Sequence, residues 1–575
     1  MSSPSNILRI AVPTPLYRIF DYLPHSTQNM DTLEPGVRVR VPFGRTKSIG
    51  VLVELAETSD IEHGRLKPIL ECLDEHPALP QDILELVSWA SNYYHYPIGE
   101  AINTALPAAL RKGLPDKSKP VISWCLTPEG KSADQKDLKR APRQAAVHIC
   151  LQQYPEGAKS EQLQQLPGDW RGGLQALIKR GWVVKQETNM TPQTAESQAQ
   201  PHLQLNSYQQ EAVDNISAAL GSFQAFLLHG VTGSGKTEVY LQVIDAVLGA
   251  GQQVLVLVPE IGLTPQLVQR FQQRFQIPIT VFHSGLSDSE RLEAWLAARN
   301  GSASIILGTR SAIFTPLKNP GLIIVDEEHD VSLKQQDGFR YSARDLAVMR
   351  GRFLKVPVVL GSATPSLESM HNAAESRYQL LGLPDRAGDA CHASIELLDM
   401  RAQPMDEGLS HKLLQRMQQH LDQGSQVLLF LNRRGYAPVL MCHECGWTAG
   451  CDRCDTHMTL HKQRNRLCCH HCGADRVIEK TCPNCTNEEL KPIGQGTQRT
   501  EQALQQHFPD ITISRIDRDS TRRKGSMESM LEDALSGKSQ ILIGTQLLAK
   551  GHHFPNVTMV GILDTDQGLF SADFR

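Results

Sequence analysis

The stretch Gly230-Val-Thr-Gly-Ser-Gly-Lys-Thr237 has the residue spacing of a loop that binds nucleotide phosphates. Glycines let successive backbone N–H groups curl around phosphate oxygens, and a following helix N-terminus adds a favourable dipole. In such a loop Lys236 reaches the β- and γ-phosphates and Thr237 holds Mg²⁺. An apolar run enters the loop and a helical pattern leaves it, an order that a simple turn at a helix start would not require. The sequence therefore predicts a nucleoside triphosphate site formed by Gly230, Val231, Thr232, Gly233, Ser234, Gly235, Lys236 and Thr237.

A second group of polar residues ends the apolar run Leu322-Ile-Ile-Val325. Ligands of a parallel α/β sheet lie at the carboxyl ends of its strands, so we expect Asp326 to hold Mg²⁺ through its water shell. Glu327 would orient and deprotonate the attacking water. An acidic helix cap would have a similar composition, but this group lies between the phosphate loop and the hydroxyl-rich stretch Gly361-Ser-Ala-Thr-Pro365. The sequence therefore predicts hydrolysis of the bound triphosphate.

Two further stretches of small and hydroxyl residues are predicted to follow strands of the same sheet. They are Pro259-Glu-Ile-Gly-Leu-Thr264 and Gly308-Thr-Arg-Ser311. Such residues suit backbone contacts with a phosphodiester chain, which single-stranded nucleic acid supplies.

Nine of the 13 cysteines lie in one short region, and eight of them form four C-x-x-C pairs. In a reducing compartment such a cluster indicates metal ligands, and eight thiolates suit two tetrahedral Zn²⁺ ions. Redox pairs are the alternative, and the spacing does not decide which pairs would share an ion. Cys468 is predicted to be the spare thiol, and the nearby histidines have no regular spacing. The eight candidate ligands are Cys442, Cys445, Cys451, Cys454, Cys469, Cys472, Cys482 and Cys485.

The length and composition limit the class of protein that can hold these residues. A chain of 575 residues is too long for one core. The 58 basic and 62 acidic residues nearly cancel, so net charge favours no class of partner. No early segment has the pattern of a signal peptide and no run approaches the length of a membrane span. We therefore expect a cytoplasmic protein with no membrane partner.

From residue 205 onward the sequence alternates near-continuous apolar strands with helical patterns, which is typical of a parallel sheet covered on both faces. Strands are predicted at 225–229, 253–259, 304–308, 322–326 and 356–360, then at 426–431, 513–517, 540–544 and 557–563. Two such series predict two α/β lobes with a cleft between them.

Two smaller modules are predicted before the lobes. Residues 1 to 105 contain alternating strands, with Arg38, Arg40, Arg45 and Lys47 expected on the outer face of a sheet, either as a solvated face or as a nucleic-acid surface. Residues 145 to 185 contain two short helical patterns and a β-ribbon, which suggests a winged helix.

In order and spacing, the motifs resemble those of superfamily 2 helicases. The stretch Leu205 to Gln209 resembles an adenine-reading Q motif, Asp326 to His329 a DEAH-type box, and Gly361 to Thr364 the S-A-T motif. In the second lobe, 430–436 and 544–551 resemble motifs IV and V. The four C-x-x-C pairs lie between the first strands of lobe 2. With this insertion, the sequence resembles the PriA family of bacterial replication-restart helicases over essentially the whole chain.

This resemblance implies site residues that spacing alone does not give. The N-terminal module would hold the 3′-hydroxyl of a nascent leading strand in a pocket mapped onto Phe20, Asp21, Tyr22, Gly36 and Lys67, with Asp21 as acceptor. Residues 334–345, with Phe339 and Tyr341, resemble an aromatic loop that couples DNA contact to hydrolysis. The first and fourth cysteine pairs would share one zinc, and the second and third pairs the other.

The resemblance also implies a fold and a domain order. The fold class would be α/β, with two RecA-like lobes, a zinc-binding insertion in lobe 2, and two DNA-binding modules before them. The predicted domains are a 3′-end-binding domain at 1–108, a winged helix with linkers at 109–200, lobe 1 at 201–385, and an incomplete lobe 2 at 386–575 with the insertion at 441–488.

The implied function is ATP-dependent 3′→5′ DNA unwinding at stalled or repaired forks, followed by primosome assembly. Implied cofactors are ATP, Mg²⁺ and two Zn²⁺, and implied partners are forked DNA, single-stranded DNA, primosome proteins and single-stranded DNA-binding protein, with the protein associated with the nucleoid. Family members continue into motif VI with an arginine finger, so we expect this 575-residue sequence to be a fragment or an incomplete gene model.

Two other functions fit the same motifs. The chain could be a scaffold that binds ATP and fork DNA without productive unwinding, because motif VI is absent. It could also be an RNA-directed ATPase, against which only the N-terminal and zinc resemblance argues.

Overall fold

The computed structural model divides the chain into two compact units. The first comprises Met1–Glu260 with Phe271–Asp389, and the second comprises Ile261–Arg270 with Ala390–Arg575. Among the described residues, no helix combines the length and apolarity that a membrane span requires. The structure describes residues 7–25, 33–117, 121–133, 138, 141–154, 157–164, 166, 168–188, 203–260, 265–387, 393–400, 405–406, 408–431, 439–442, 444–454, 457–461, 466–469, 472–488, 490–493, 497–516, 526–544, 554–563 and 565.

The first unit begins with an antiparallel sheet of five strands in the order β2-β1-β4-β3-β5. Alternating apolar residues of the central strands, such as Ile10, Val39 and Val41, are fully buried beneath it. Three helices follow the sheet. The elements are β1 (Ile7–Ala11), β2 (Phe20–Tyr22), β3 (Arg38–Phe43), β4 (Thr46–Ala56), β5 (Glu71–Cys72), α1 (Gln81–Tyr93), α2 (Ile98–Ala105) and α3 (Ala108–Arg111).

The prediction that Arg38 lies on the outer face of this sheet was wrong. Its side chain is fully buried and its guanidinium Nε donates to Asp74 Oδ2 at 2.9 Å. Its Nη1 donates to the Leu110 carbonyl at 2.7 Å, so the pair ties the sheet to α3. A buried guanidinium is tolerated because its N–H groups are satisfied.

A small module of helices and a three-stranded antiparallel sheet, in the order β7-β6-β8, comes next. Leu174 and Leu177 of its last helix pack on Val147 and Leu151. Helices followed by a short ribbon were predicted here; the winged-helix class stays a prediction. The elements are β6 (Val121–Leu126), α4 (Pro128–Ser132), α5 (Pro142–Gln153), β7 (Ala158–Lys159), α6 (Ser160–Gln164), α7 (Trp170–Lys179) and β8 (Val183–Thr188).

Lobe 1 is a parallel sheet of seven strands in the order β11-β12-β10-β13-β14-β9-β15. All five strands predicted for this lobe are confirmed, and the strands at the two edges, β11 and β15, were not predicted. The elements are α8 (Ser207–Ala218), β9 (Ala225–Gly230), α9 (Lys236–Gly249), β10 (Gln253–Leu257), α10 (Pro265–Arg274), β11 (Ile279–Phe282), α11 (Asp288–Asn300), β12 (Ile305–Gly308), β13 (Pro320–Asp326), α12 (Ala343–Leu354), β14 (Val358–Ser362), α13 (Leu367–Ala374) and β15 (Gln379–Leu383).

The N-terminal helices and lobe 1 share one hydrophobic core. Arg350 of α12 is fully buried in it, where Nη2 lies 3.2 Å from Asp82 Oδ2 of α1 and Nη1 donates to the Ile313 carbonyl at 2.9 Å. A buried pair that joins two modules fixes α12 against α1.

Among its described residues the second unit holds three sheets, of which the smallest is the two-stranded pair β16-β17. A parallel sheet has the order β24-β25-β18-β26, and a small antiparallel sheet in the cysteine-rich region has the order β22-β21-β20-β19-β23. The four strands predicted for lobe 2 are confirmed. The elements are β16 (Met405–Asp406), β17 (Leu409–Ser410), α14 (His411–Asp422), β18 (Gln426–Leu431), β19 (Val439–Cys442), β20 (Thr459–His461), β21 (Arg466–Cys468), β22 (Asp475–Val477), β23 (Leu490–Ile493), α15 (Thr497–His507), β24 (Ile513–Ile516), α16 (Ser526–Leu535), β25 (Ile541–Gly544) and β26 (Val557–Leu563).

Most of the predicted motifs IV and V lies outside the described residues. Only Phe430 and Leu431 of the first stretch and Gly544 of the second are described.

Candidate functional site

The predicted phosphate loop joins β9 to α9 at the carboxyl edge of lobe 1. Gly233 and Gly235 adopt left-handed backbone angles, with φ of 80° and 82°, which residues with a side chain rarely adopt. A Cβ on Gly235 would also lie 2.3 Å from Gln209 Nε2. Lys236 is the first residue of α9, and its Nζ donates to the Gly230 carbonyl at 2.9 Å. The loop therefore has the backbone path that a phosphate cradle needs.

Gln209, predicted to read adenine, braces this loop. Its Nε2 donates to the Ser234 carbonyl at 2.8 Å, and its Oε1 accepts from the Asn206 backbone N–H at 2.9 Å. Asn206 in turn caps α8 by accepting from the Gln209 backbone. Both polar atoms of the buried amide are thus engaged with protein, and a contact with the base stays a prediction.

The loop fits phosphate oxygens in a further respect. The hydroxyl of Ser234 is buried and has no hydrogen-bond partner among the described residues. Thr237 lies in the first turn of α9, where the helix dipole favours an anion and a hydroxyl can reach its metal. An orphaned donor beside a helix N-terminus is a site that a bound phosphate would satisfy.

Asp326 ends β13, the strand next to β14 in the sheet. Its Oδ1 accepts a hydrogen bond from the Tyr240 hydroxyl of α9 at 3.0 Å. Burial, followed by the charge of Glu327, raises the pKa of Asp326 to about 6. A bound divalent cation would favour the ionised carboxylate, so the position suits Mg²⁺.

Tyr240 had no predicted role. Its ring is buried, and burial followed by the charge of Asp326 raises its pKa well above the ordinary value. A Cβ on Gly361 would lie 1.6 Å from its hydroxyl, so the glycine of the S-A-T motif leaves room for it. Tyr240, on the helix that follows the phosphate loop, therefore contacts both the acidic box and the S-A-T motif.

Glu327 and His329 follow Asp326 in a tight turn. Glu327 has a φ of 47°, a left-handed conformation that is unfavourable for a residue with a side chain and that is concentrated at functional sites. His329 Nδ1 lies 2.8 Å from Ser362 Oγ and 3.5 Å from Glu327 Oε2. The turn thus connects the acidic box to the S-A-T motif.

The two predicted aromatic residues of the loop at 334–345 lie in the core. Phe339 and Tyr341 are each 2% exposed. The Phe339 ring stacks on Tyr96 with centroids 5.2 Å apart, and the Tyr341 ring meets Phe314 at 4.9 Å. Neither ring offers a free stacking face here. Direct contact with DNA stays a prediction, and it would require the rings to leave this core.

A cavity of about 210 Å³ lies beside β2 in the N-terminal module. Four of the five residues predicted for a 3′-end pocket line it: Phe20, Asp21, Tyr22 and Lys67. Asp21 Oδ2 accepts from the Ser59 hydroxyl at 2.5 Å, and the Tyr22 hydroxyl donates to the Pro42 carbonyl at 3.1 Å. The carboxylate is thus held in place at the cavity wall.

The assignment of Gly36 to this pocket was wrong. Gly36 is outside the residues that line the cavity, and its φ is 100°. A Cβ there would lie 2.0 Å from the Leu79 carbonyl oxygen, so this glycine serves close backbone packing. Gly44, in the β3–β4 turn, lines the cavity instead. The sequence did contain a signal for this position, because Gly44 lies in the turn directly after β3.

Cationic groups that the sequence did not single out also line this cavity. Arg18 and Arg65 are both at its wall, and the Arg18 guanidinium carbon lies 4.7 Å from the centroid of Phe20. Together with Lys67 they give the cavity three basic side chains, which suits a polyanion.

The eight paired cysteines come together in two groups of four. Cys442, Cys445, Cys482 and Cys485 form one group, and Cys451, Cys454, Cys469 and Cys472 form the other, with all Sγ atoms of a group within 4.8 Å. This is the grouping that the resemblance implies. Among the described residues, Cys468 belongs to neither group.

The sulfur positions fit tetrahedral zinc. Sγ atoms lie 3.5 Å apart between Cys442 and Cys485 and 3.6 Å apart between Cys445 and Cys482. Four sulfurs at about 2.3 Å from a zinc ion would be separated by about 3.8 Å. A hydrogen bond from Asn484, followed by one from the Trp447 backbone, lowers the pKa of Cys445 to about 6, which favours the thiolate that binds metal.

The turns that present these thiols follow one pattern. Gly446 and Gly473 have left-handed φ angles of 78° and 74°, and each N–H donates at 3.0 Å to the carbonyl of the cysteine four residues earlier. Thr486 adopts the same conformation, with φ of 62°, after the fourth pair. Each turn aims two sulfurs at one point.

Three family models match the chain. The 3′ DNA-binding domain (3′BD) of PriA matches residues 9–107, the DEAD/DEAH box helicase model matches residues 206–373, and the PriA DNA helicase Cys-rich region (CRR) domain matches residues 451–476.

Curated relatives match over nearly all of the chain. Replication restart protein PriA of Haemophilus influenzae is 46% identical over 99% of this chain and 78% of its own length. Replication restart protein PriA of Bacillus subtilis is 35% identical over 97% of this chain and 78% of its own length. Among solved structures, RecG bound to a three-way DNA junction is 18% identical over 63% of this chain and 38% of that one, with a TM-score of 0.34, too low to support an inference.

Proposed function

The chain belongs to the PriA family of replication restart proteins, and from this premise we propose which of its residues perform each step. It is an ATP-dependent DNA helicase of replication restart, and the 3′→5′ direction and the recognition of forks follow from the family. The division into domains at 1–108, 109–200, 201–385 and 386–575 is part of this proposal.

ATP hydrolysis is assigned to the carboxyl edge of lobe 1. Residues Gly230 to Thr237 bind the triphosphate, Lys236 neutralises the β- and γ-phosphates, and Thr237 and Asp326 hold Mg²⁺. Glu327 orients and deprotonates the attacking water. The observation that carries the assignment is the hydrogen bond from Tyr240 of α9 to Asp326 of β13, because it brings the phosphate loop and the acidic box into one site.

The test is ATP hydrolysis by this chain with and without fork DNA, beside Lys236→Ala. We expect DNA-stimulated turnover that the substitution abolishes, with the fold unchanged. Stimulation by RNA equal to that by DNA would favour the RNA-directed ATPase. Binding of ATP and fork DNA without turnover would favour the scaffold.

The cavity beside β2 is proposed to take the 3′-hydroxyl end of a DNA strand. Asp21 accepts a hydrogen bond from the 3′-hydroxyl, Phe20 flanks the base, and Lys67, with Arg18 and Arg65, faces phosphates. Tyr22 and Gly44 complete the wall. The match of residues 9–107 to the 3′ DNA-binding domain supports this role.

Forks whose nascent leading strand ends in a 3′-hydroxyl or a 3′-phosphate distinguish this pocket from general DNA binding. The unsubstituted chain should prefer the hydroxyl, and Asp21→Ala should remove the preference. The matched control is Asp60→Ala, an exposed acid in the same module. Equal binding of the two forks by the unsubstituted chain would refute the pocket assignment.

Each group of four cysteines is proposed to bind one Zn²⁺, which would hold the turns of the cysteine-rich region together. Primosome proteins and single-stranded DNA-binding protein are proposed as partners, supported by family membership alone. Co-sedimentation of the chain with each purified partner on fork DNA tests the second proposal.

A further inference from the structure

Strand β15 leads directly to a segment that lies against the phosphate loop. Leu383 ends β15, and its carbonyl accepts a hydrogen bond from the Val231 N–H at 3.2 Å. Four residues later, the Ala387 N–H donates to the Gly233 carbonyl at 2.8 Å. We call residues 383–387 the β15 extension. Its two backbone hydrogen bonds fix its path relative to that of the loop.

The three glycines of the loop all face the β15 extension. A Cβ added to each glycine would lie 4.0 Å or less from one residue of the extension: Leu383 for Gly230, Arg386 for Gly233 and Ala387 for Gly235. Glycine at these positions leaves the extension packed directly against the loop backbone. The loop and the extension therefore form one packed structure, although no predicted motif includes the extension.

The sheet order places the extension at the nucleoside end of a bound triphosphate. The loop follows β9, which lies between β14 and β15, and Asp326 ends β13 on the far side of β14. Adjacent strands are about 4.8 Å apart, so Asp326 lies about 10 Å to one side of the loop. The γ-phosphate and Mg²⁺ are proposed to lie on that side. The ribose and the base would then extend to the other side, where β15 ends.

Gln209 occupies the same side of the loop as the extension. A Cβ on Gly235 would lie 2.3 Å from Gln209 Nε2 and 3.7 Å from Ala387 Cβ. Arg386 precedes Ala387 and is half-buried, and its Cγ would lie 4.0 Å from a Cβ on Gly233. Its methylene stem therefore lies beside the loop. An arginine guanidinium is planar and weakly hydrated, so it stacks readily on aromatic faces.

We propose that Arg386 is a nucleotide-binding residue whose guanidinium stacks on the adenine base of bound ATP. The inference rests on the proposed ATP site at the phosphate loop and adds the residue that holds the base. The β15 extension positions this side chain, because hydrogen bonds tie both of its ends to the loop. Stacking requires a planar group at this position and is independent of any contact with the phosphates.

A cation beside the loop could instead contact the phosphates, or it could only pack against Gly233. In a phosphate contact lysine would largely replace arginine, because a point charge binds phosphate as well. A packing role would affect every ligand of the loop equally. The position of the extension favours the base, because it lies on the side away from Asp326, while Lys236 and Thr237 already supply ligands for the phosphates and Mg²⁺.

The binding experiment compares a ligand that has the base with one that has only phosphates. Dissociation constants for ADP and for inorganic pyrophosphate are measured with Mg²⁺ on the full chain, each by displacement of a fluorescent ADP analogue. Arg386→Ala should weaken ADP binding about tenfold, within the range for one stacked base, and leave pyrophosphate binding unchanged. Equal weakening of both ligands would overturn the inference in favour of a phosphate contact or a packing role.

Two further substitutions separate stacking from charge. Arg386→Lys keeps the charge and loses the planar group, so its ADP affinity should fall as far as that of Arg386→Ala. Arg386→Tyr loses the charge and supplies a ring that can stack, so it should bind ADP more tightly than Arg386→Ala. Full ADP affinity in Arg386→Lys would overturn the inference. The matched control is Arg377→Ala, an exposed arginine between α13 and β15, which should change neither dissociation constant.

Kinetics of ATP hydrolysis give a second readout. A stacked base is held equally in the ground state and in the transition state. Arg386→Ala should therefore raise KM for ATP about tenfold and leave kcat at saturating ATP and DNA unchanged. A fall in kcat at saturating ATP would mean that the residue acts on the reacting phosphates, and it would contradict the assignment to the base.

The Lys236→Ala variant separates the inference from the proposed function. If the unsubstituted chain binds ADP and Lys236→Ala weakens the binding of both ligands, the proposed ATP site stands. An ADP affinity unchanged in Arg386→Ala would then overturn the inference alone. If the unsubstituted chain binds neither ADP nor pyrophosphate, the proposed ATP site and the inference fail together.

Discussion

The nucleotide site and the cysteine-rich region both hold ionisable groups close together, but different structures support them. At the nucleotide site the functional residues end long strands: β9, β13 and β14 lie inside a seven-stranded sheet with almost fully buried side chains. The backbone therefore fixes Lys236 and Asp326 before any ligand binds.

In the cysteine-rich region the strands are three or four residues long and the core is small. So small a core buries too little apolar surface to stabilise a fold by itself. Two ions that each join four thiols would supply the missing energy. The residues of this core are Leu440, Ala449, Met458, Leu460, Leu467 and Cys469.

This difference predicts that metal removal has the largest effect on structure, and that the effect is local. Structural zinc contributes about 10–16 kcal/mol in small zinc domains. Chelation, or the pair Cys442→Ser and Cys482→Ser, should expose residues 439–493 to limited proteolysis. The substituted chain should bind one zinc where the unsubstituted chain binds two, as measured by atomic absorption.

The first unit serves as the internal control for that prediction. Its thermal transition and its affinity for ATP should not change when zinc is removed. If nucleotide binding were lost when the zinc is removed, the prediction would be contradicted, because the nucleotide site would then depend on the ions as well.

The converse prediction is that removing a catalytic group from the nucleotide site changes chemistry and leaves the fold intact. Glu327→Gln should lower DNA-stimulated kcat by about 10²–10⁴-fold, the usual contribution of a positioned acid or base. The unfolding temperature should stay within error, since the sheet positions the turn. ATP hydrolysis and differential scanning fluorimetry on the same sample measure both; a large fall in unfolding temperature would contradict the prediction.

The comparison also explains which parts could be predicted from sequence. Central strands such as β9 and β10 are mostly apolar because helices cover both faces, so their signal is strong. The edge strands β11 and β15 are partly exposed and mix polar with apolar residues. Their pattern is weak, so these two strands were not predicted.

Site residues were predicted best where local order along the chain determines their position. The phosphate loop, the acidic box and the cysteine pairs are each defined by short spacings. Other outcomes depend on partners far along the chain. These are the burial of Arg38, the burial of the Phe339 and Tyr341 rings, and the position of Gly44 in place of Gly36 at the cavity wall. The contacts are made by Asp74, Tyr96 and Leu79, and no local sequence pattern predicts them.

Tyr240→Phe tests whether the sheet alone positions Asp326. The substitution removes the 3.0 Å hydrogen bond to Oδ1 and keeps the buried ring. A typical hydrogen bond contributes about 1 kcal/mol, so we expect about a fivefold effect on kcat or on the Mg²⁺ concentration at half-maximal rate. A titration of Mg²⁺ at saturating ATP separates the two. No change in either would show that the strand end is sufficient by itself.

The smallest effect is expected at the 3′-end pocket, where Asp21 lies on a short strand near the surface. Ser59→Ala removes the hydroxyl that donates to Asp21 Oδ2 and leaves the cavity wall otherwise intact. The carboxylate is partly exposed and water can replace the lost donor, so the change in binding should be about 0.5 kcal/mol, about twofold in affinity. Binding of a fork with a 3′-hydroxyl should weaken by this amount while a fork with a 3′-phosphate is unaffected. A loss as large as that of Asp21→Ala would instead mean that Ser59 determines where the carboxylate points, and the pocket would then depend on one side chain where the nucleotide site depends on a sheet.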